Sequence, residues 1–173
     1  MAQPEDATQR EKYVRGVRTE VAVARTRSEA ASLSGSLVEL GIAGASGGSV
    51  SVRVTGADLF LIKPAAGDHD DLAPENMVLC DLAGDRVLGT PGSEREPVRD
   101  ASTHAHLLRR FPELGGVVFS QSPYALVHAA TGQEIPCLIA SIAEAIGGPV
   151  PVASAPLDDA DAIAEAVAAA VAD

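Results

Sequence analysis

The chain has no tryptophan and, in 173 residues, only two tyrosines and three phenylalanines. Side chains on which nucleobases could stack are almost missing, and a formal charge of −11 would repel a phosphate backbone. Both features exclude nucleic acid as a partner. The two cysteines, Cys80 and Cys137, stand far apart in apolar contexts. That excludes a disulfide framework, a thiolate metal site and a Cys-x-x-Cys redox pair, and both read as small buried hydrophobes. No run of 18 or more apolar residues occurs, so no membrane span is expected. The first residues, Met1 to Asp6, lack the basic and apolar regions of a secretory signal, and a cytoplasmic location is expected. Lysine is scarce too: arginine outnumbers it eleven to two, which with abundant alanine suggests a bacterial gene of high G+C content.

What is present is ordinary globular material, 46% apolar and 21% charged. A single domain over residues 1–173 with one sizeable core is expected. Positive charge is concentrated near the start, where Arg10, Lys12, Arg15, Arg18, Arg25 and Arg27 face only Glu11 and Glu20. Val14, Val17, Val21 and Ala24 recur there at helical spacing, so the arginines read as the solvated face of an amphipathic helix. A second helix is expected over residues 28–40, with Leu33, Leu37, Val38 and Leu40 inward. The glycine-rich run from Gly41 to Gly48 ends it and leads into a strand, which excludes a P-loop or a dinucleotide-binding turn. Strands are expected over 50–54 and 59–63, joined through Thr55-Gly56-Ala57-Asp58 as a hairpin. The loop with Asp68, His69, Asp70 and Asp71 reads as solvated acids rather than a cation site. A strand over 77–82 turns at Ala83-Gly84-Asp85 into a second hairpin. Near the end, a strand-like run covers 135–140 and a helix covers 158–171. That helix has acids in its first turns and Ala162, Ile163, Ala166, Val167, Ala170 and Val171 to bury.

Chemistry is concentrated between Pro97 and Tyr124. Asp100 opens a helix, His104 follows at i,i+4 on the same face, and Pro112 stops the helix after Arg109-Arg110. His106 lies two residues from His104 and so projects elsewhere. The apolar run Gly116-Val117-Val118-Phe119, between Gly115 and Ser122-Pro123, reads as a buried strand on which Phe119 and Gln121 share a direction. Ser122 and Pro123 then start a further helix that passes through His128 and ends at Thr131-Gly132.

From about Leu40 onward these pieces resemble the class II aldolase/adducin superfamily, which includes fuculose-phosphate aldolases and ribulose-phosphate epimerases. The resemblance is carried by Gly48-Ser49-Val50-Ser51-Val52-Arg53, Lys63-Pro64, Asn76-Met77-Val78, Asp100 with His104, Arg109-Arg110-Phe111-Pro112, Gly115-Gly116-Val117-Val118, Ser122-Pro123-Tyr124-Ala125 and Ile135-Pro136. It implies an α/β, three-layer fold, a mainly antiparallel central sheet flanked by helices on both sides, here C-terminally short and expected to be a naturally short member. It also implies a homo-oligomer, a fourfold tetramer with sites in the clefts between subunits.

Family enzymes carry His-x-His where this chain has Phe119-Ser120-Gln121, and those imidazoles bind a divalent cation, usually zinc. A phenyl ring cannot ligate, and a neutral amide is a poor substitute. The third family histidine lies beyond a segment resembling 158–171, so no metal ligand and no cofactor are assigned. The positions matching the family's phosphate cradle are Gly48-Ser49, Ala65-Ala66 and Val98-Arg99. Arg99 either binds an anion or pairs with a neighbouring acid.

The preferred reading is a metal-independent small-molecule enzyme of lyase, isomerase or cyclase type acting on a carbonyl-containing substrate. Asp100 would be the general acid/base, its pKa raised by the apolar Phe119, with His104 or His106 as a second proton carrier. Arg99, Lys63, Ser49, Phe119, Gln121 and Tyr124 would contact substrate. Glu144 would too, since it matches an acid that in the epimerases reaches a neighbouring subunit's site; its other reading is a surface acid on a short helix. The alternative function is a non-catalytic, adducin-like structural or regulatory oligomer, in which Asp100 and His104 merely pair.

Overall fold

Residues 49–53 alternate serine with valine before an arginine, and a strand with that pattern must show two different faces to two different partners. The structure is a computed structural model and describes residues 4–43, 48–66, 72–156 and 159–171. In it, β1 (Ser49–Arg53) pairs antiparallel with β2 (Leu59–Ile62) on one side and with β4 (Gly116–Phe119) on the other, and β3 (Val78–Asp81) adds outside β2. The sheet order is β3-β2-β1-β4.

On one face, Val50, Val52, Leu61 and Leu79 pack beneath Ala30, Ala31 and Leu37 of α1 (Pro4–Glu39). The opposite face carries Phe60, Ile62, Val78 and Cys80, which pack against Ala101, Ala105 and Leu108 of α2 (Ala101–Arg110). Ser49, Ser51 and Arg53 belong to this second face, because their cross-strand partners Phe119, Val117, Ile62 and Phe60 do. A further helix, α5 (Ala160–Val171), packs outside α2, while α3 (Pro123–Thr131) and α4 (Ala140–Ala145) follow β4. The three layers expected from the sequence are thus present, with helices on both sides of an antiparallel sheet.

Gly116 stands where a Cβ would run into the Ser51 carbonyl, so only glycine lets β4 approach β1 this closely. Arg53 fixes the other end of α2. Its Nε donates to the Leu114 carbonyl at 2.9 Å, and its Nη2 donates to the carbonyls of Leu108 and, at 3.4 Å, Phe111. The Leu108 and Phe111 carbonyls lie at the C-terminus of α2, where a helix leaves acceptors without intrahelical partners and a guanidinium suits the negative end of the dipole, and Leu114 lies in the turn between α2 and β4.

Several expectations are corrected. The two helices anticipated before the sheet are one, 36 residues long, because neither glycine nor proline stands at the junction near residue 27, and a helix that is partly packed propagates readily; Gly16 and Gly35 lie inside it without breaking it. At about 1.5 Å per residue α1 is about 54 Å long, against about 19 Å for the width of four strands. Its first half therefore overhangs the sheet, and the stripe Val14, Val17, Val21 and Ala24 is exposed rather than buried. Conversely Arg27, expected in solvent, is only 7% exposed, because it shares a face with Ala30 and Ala31. Its Nη1 donates to the Met77 carbonyl.

Residues 135–140 form no strand; Ile135 makes a single antiparallel bridge with Val150. The second hairpin is likewise reduced to the bridge Cys80 to Arg86. In α5 the buried residues are Ala164 and Ala168, while Val171 is exposed, because the small alanines let the helix lie close to α2. Cys80 is buried as expected but Cys137 only partly so. The acidic loop with His69 lies outside the described residues.

Candidate functional site

Two buried serines on a sheet face need partners, since an unpaired hydroxyl in an apolar core is costly. They find them in α2. The His104 ring, 1% exposed, stands between the two hydroxyls, with Nδ1 2.8 Å from Ser51 Oγ and Nε2 3.1 Å from Ser49 Oγ. Ser49 Oγ in turn donates to Asp100 Oδ2, and His104 Nε2 lies 3.4 Å from that oxygen.

A carboxylate only accepts, so the Ser49 proton points to Asp100 and the Ser49 oxygen accepts from Nε2–H. In a neutral ring Nδ1 is then the acceptor, and Ser51 donates to it. The chain Ser51, His104, Ser49, Asp100 thus has one consistent direction, ending on the carboxylate. Asp100 occupies the N-cap position of α2 but makes no side-chain cap bond; its side chain is used across the core instead.

Burial works to raise the Asp100 pKa, but the hydrogen bonds from His104 and Ser49, helped by attraction to the His104 ring and by its own backbone N–H, outweigh it. The carboxyl is held below its ordinary value of 3.8. The expectation of a raised value is therefore overturned: polar donors reach the carboxylate, whereas Phe119 sits opposite Ser49 at the sheet edge, 45% exposed, and supplies no dry enclosure. The second carboxylate oxygen, Asp100 Oδ1, is buried without a hydrogen-bond partner. Lys63 lies near enough to feel the carboxylate. Burial lowers its pKa, and the attraction of Asp100 opposes that. The neighbourhood follows from the isolated antiparallel bridge between Pro64 and Pro97 and from the Val98 N–H donating to the Lys63 carbonyl at 3.2 Å.

The structure therefore brings together Asp100, His104, Ser49 and Lys63, with Phe119 on the same sheet face. It does not bring His106 to Asp100; that ring turns outward on α2 and its Nε2 lies 3.2 Å from Glu165 Oε2 of α5. Arg99 is exposed, and none of the ion pairs formed among the described residues includes it. Tyr124 is 85% exposed and Glu144 is exposed on α4. Gln121 lies beyond the end of β4, where its backbone N–H donates to the Ile42 carbonyl at 3.0 Å.

Ser51 and Arg53 escaped the sequence reading of the site, although the alternation of residues 49–53 placed both on the face of Ser49. Burial, aided by Asp81 and Asp85, pushes the Cys80 thiol up to about 12, which leaves it unreactive.

The chain matches the model of the Class II Aldolase and Adducin N-terminal domain over residues 28–173. It belongs to the class II aldolase and adducin family. Solved structures with this fold include an L-fuculose 1-phosphate aldolase, 24% identical with a TM-score of 0.69, over 86% of this chain and 68% of that one. An L-fuculose 1-phosphate aldolase from Glaciozyma antarctica PI12 is 17% identical with a TM-score of 0.69, over 88% of this chain and 59% of that one. YgbL, a putative aldolase/epimerase/decarboxylase from Escherichia coli, is 20% identical with a TM-score of 0.68, over 86% of this chain and 71% of that one. The chain thus spans 59% to 71% of the length of these proteins, and the likeness is one of fold.

The family implies a divalent metal, and the described residues at the matching positions do not fit one. Phe119 offers no donor atom, and both ring nitrogens of His104 already face serine hydroxyls. No group of three or more His, Cys, Asp and Glu that could hold a metal ion occurs among the described residues. No helix among those residues is long and apolar enough to cross a membrane.

Proposed function

We propose that this class II aldolase-like chain is a small-molecule enzyme of lyase, isomerase or cyclase type, acting on a carbonyl-containing substrate without a bound metal. Asp100 is its proton acceptor. The observation that supports this reading is a carboxylate with one oxygen held by Ser49 and faced by His104 and the other, Oδ1, buried without a hydrogen-bond partner.

Asp100 is ionised at neutral pH and can take a proton from the carbon next to a carbonyl. The C–H bond breaks, its electron pair moves onto the carbonyl oxygen, and the Lys63 ammonium offsets the charge that forms there. The conjugate acid of a depressed carboxyl gives its proton back readily, which suits isomerisation or elimination better than storage of the proton. Ser49 and His104 orient the carboxylate rather than touch substrate. Arg99 and Tyr124 are exposed and free to meet an anionic or polar group, and Glu144 supplies a neighbouring subunit's site in a homo-oligomer. A cytoplasmic setting goes with this reading.

A second reading, a non-catalytic adducin-like oligomer, is favoured by the sealing of His104 between two serines, which would serve equally to staple α2 onto β1. Turnover of a panel of small hydroxy-carbonyl compounds in excess chelator separates the two. We expect the wild type to convert at least one compound and Asp100→Asn, with an unchanged circular dichroism spectrum, to be slower by about 10²-fold or more. A wild type inert toward the whole panel, or a fully active variant, would favour the second reading.

A further inference from the structure

Arginine supplies positive charge almost everywhere in this chain, and lysine occurs only at positions 12 and 63. The two cations differ in one respect that matters to carbonyl chemistry: a guanidinium keeps its proton, whereas an ammonium can lose one and become a nucleophile. Lys12 is exposed on α1. Lys63 is half-buried just past the end of β2. Its backbone is fixed on the segment that leads to Asp100, since the Val98 N–H donates to the Lys63 carbonyl at 3.2 Å and the Ala65 N–H donates to the Glu96 carbonyl at 2.9 Å. Asp100 is the charge that acts on it, and burial lowers its pKa all the same.

We propose that Lys63 is a catalytic nucleophile whose amine adds to the substrate carbonyl and forms an iminium beside Asp100. This rests on the reading of the chain as an enzyme for a carbonyl-containing substrate, and names the group that takes up the electrons. A pair released at the carbon next to the carbonyl needs a sink, and Phe119 offers no donor atom through which a metal could be held to supply it. An iminium is a stronger sink than a carbonyl beside an ammonium, because the positive charge sits on the bonded nitrogen itself. The neutral amine forms the C–N bond while the C=O π pair moves to oxygen; that oxygen takes one proton from the amine and one from solvent and leaves as water. Asp100 then removes a proton from the adjacent carbon. The C–H pair becomes a C=C bond and the C=N pair settles on nitrogen, giving an enamine. Return of a proton and addition of water across C=N release the product and restore the amine. The half-buried position favours the neutral amine that starts this sequence.

Reductive trapping tests it in the full-length chain. Wild type is incubated at neutral pH with dihydroxyacetone or glycolaldehyde and sodium cyanoborohydride, which reduces an iminium to a stable secondary amine, and labelled peptides are mapped by mass spectrometry. Lys63 should be labelled at least about tenfold faster than the exposed Lys12, its internal control. Labelling needs no turnover and no variant, so it can be read on the wild type alone. Lys63→Arg keeps the positive charge but cannot form an iminium. With an unchanged circular dichroism spectrum, it should be slower by about 10²-fold or more on any compound the wild type converts. Lys63 labelled no faster than Lys12, or Lys63→Arg as active as the wild type, would overturn the proposal and leave Asp100 as the proton acceptor wherever Asp100→Asn is still slow. Rapid labelling of Lys63 together with a fully active Asp100→Asn would fault the role of Asp100 and uphold that of Lys63.

Discussion

Replacing Ser49 by alanine removes one buried hydroxyl that serves two partners, donating to Asp100 Oδ2 and accepting from His104 Nε2. A hydrogen bond to an ionised group contributes about 1.5–3 kcal/mol and a neutral one about 0.5–1.5 kcal/mol. His104 Nε2 still faces Asp100 Oδ2 at 3.4 Å in the variant, so the lower ends apply and a loss of about 2 kcal/mol is expected at neutral pH. The loss depends on pH in a fixed direction. The folded-state pKa of Asp100 is depressed, so its contribution is fully present above the ordinary value of 3.8 and is lost as pH falls below it through the folded value. In Ser49→Ala one of the donors that depress it is gone, and the folded pKa moves up toward 3.8. The gap between wild type and variant should therefore be widest at neutral pH and shrink toward about 0.5 kcal/mol, the neutral bond alone, once the carboxyl is protonated. Urea unfolding at pH 7 and at steps down through the acid range reads both quantities. A variant as stable as the wild type at pH 7, or a gap that stays constant with pH, would refute the reasoning.

Arg53→Met should cost about 2–3 kcal/mol, because it frees the carbonyls at the end of α2 and in the turn after it that the guanidinium now holds. The check is the urea midpoint together with amide exchange in 107–111; an unchanged midpoint would mean that α2 does not need the clamp. Protein purified without a histidine tag should contain well under one equivalent of zinc, iron or manganese by elemental analysis, and any activity should persist in excess chelator. Stoichiometric metal whose removal abolished activity would contradict the donor set at Phe119 and His104.

Much of the sheet was legible because its period is short and its turns are marked. Leu59–Ile62 and Val78–Asp81 are apolar runs bounded by turn residues, and Gly132 adopts the left-handed conformation that ends α3 where the Thr131-Gly132 pair suggested. Asp100 and His104 were legible as a pair from their i,i+4 spacing, and the structure joins them. The direction of the Asp100 shift was not, because it depends on Ser49, 51 residues away in sequence. Long-range pairing also hid Arg27. Its charge says solvent, while its place on the packed side of α1 says core, and the Met77 carbonyl resolves the conflict. The stripe at Val14, Val17 and Val21 failed for a geometric reason: periodicity shows that a helix has an apolar side, not that the chain has anything long enough to cover it.

The proposed chemistry turns on Asp100 being an ionised carboxylate held by Ser49 and His104. Titration of its side-chain carboxyl by carbon-13 NMR, assigned by comparison with Asp100→Asn, measures this directly. The expected midpoint lies below 3.8 in the wild type and higher in Ser49→Ala. A wild-type midpoint at or above the ordinary value would contradict it, and would return Asp100 to the role of a protonated acid.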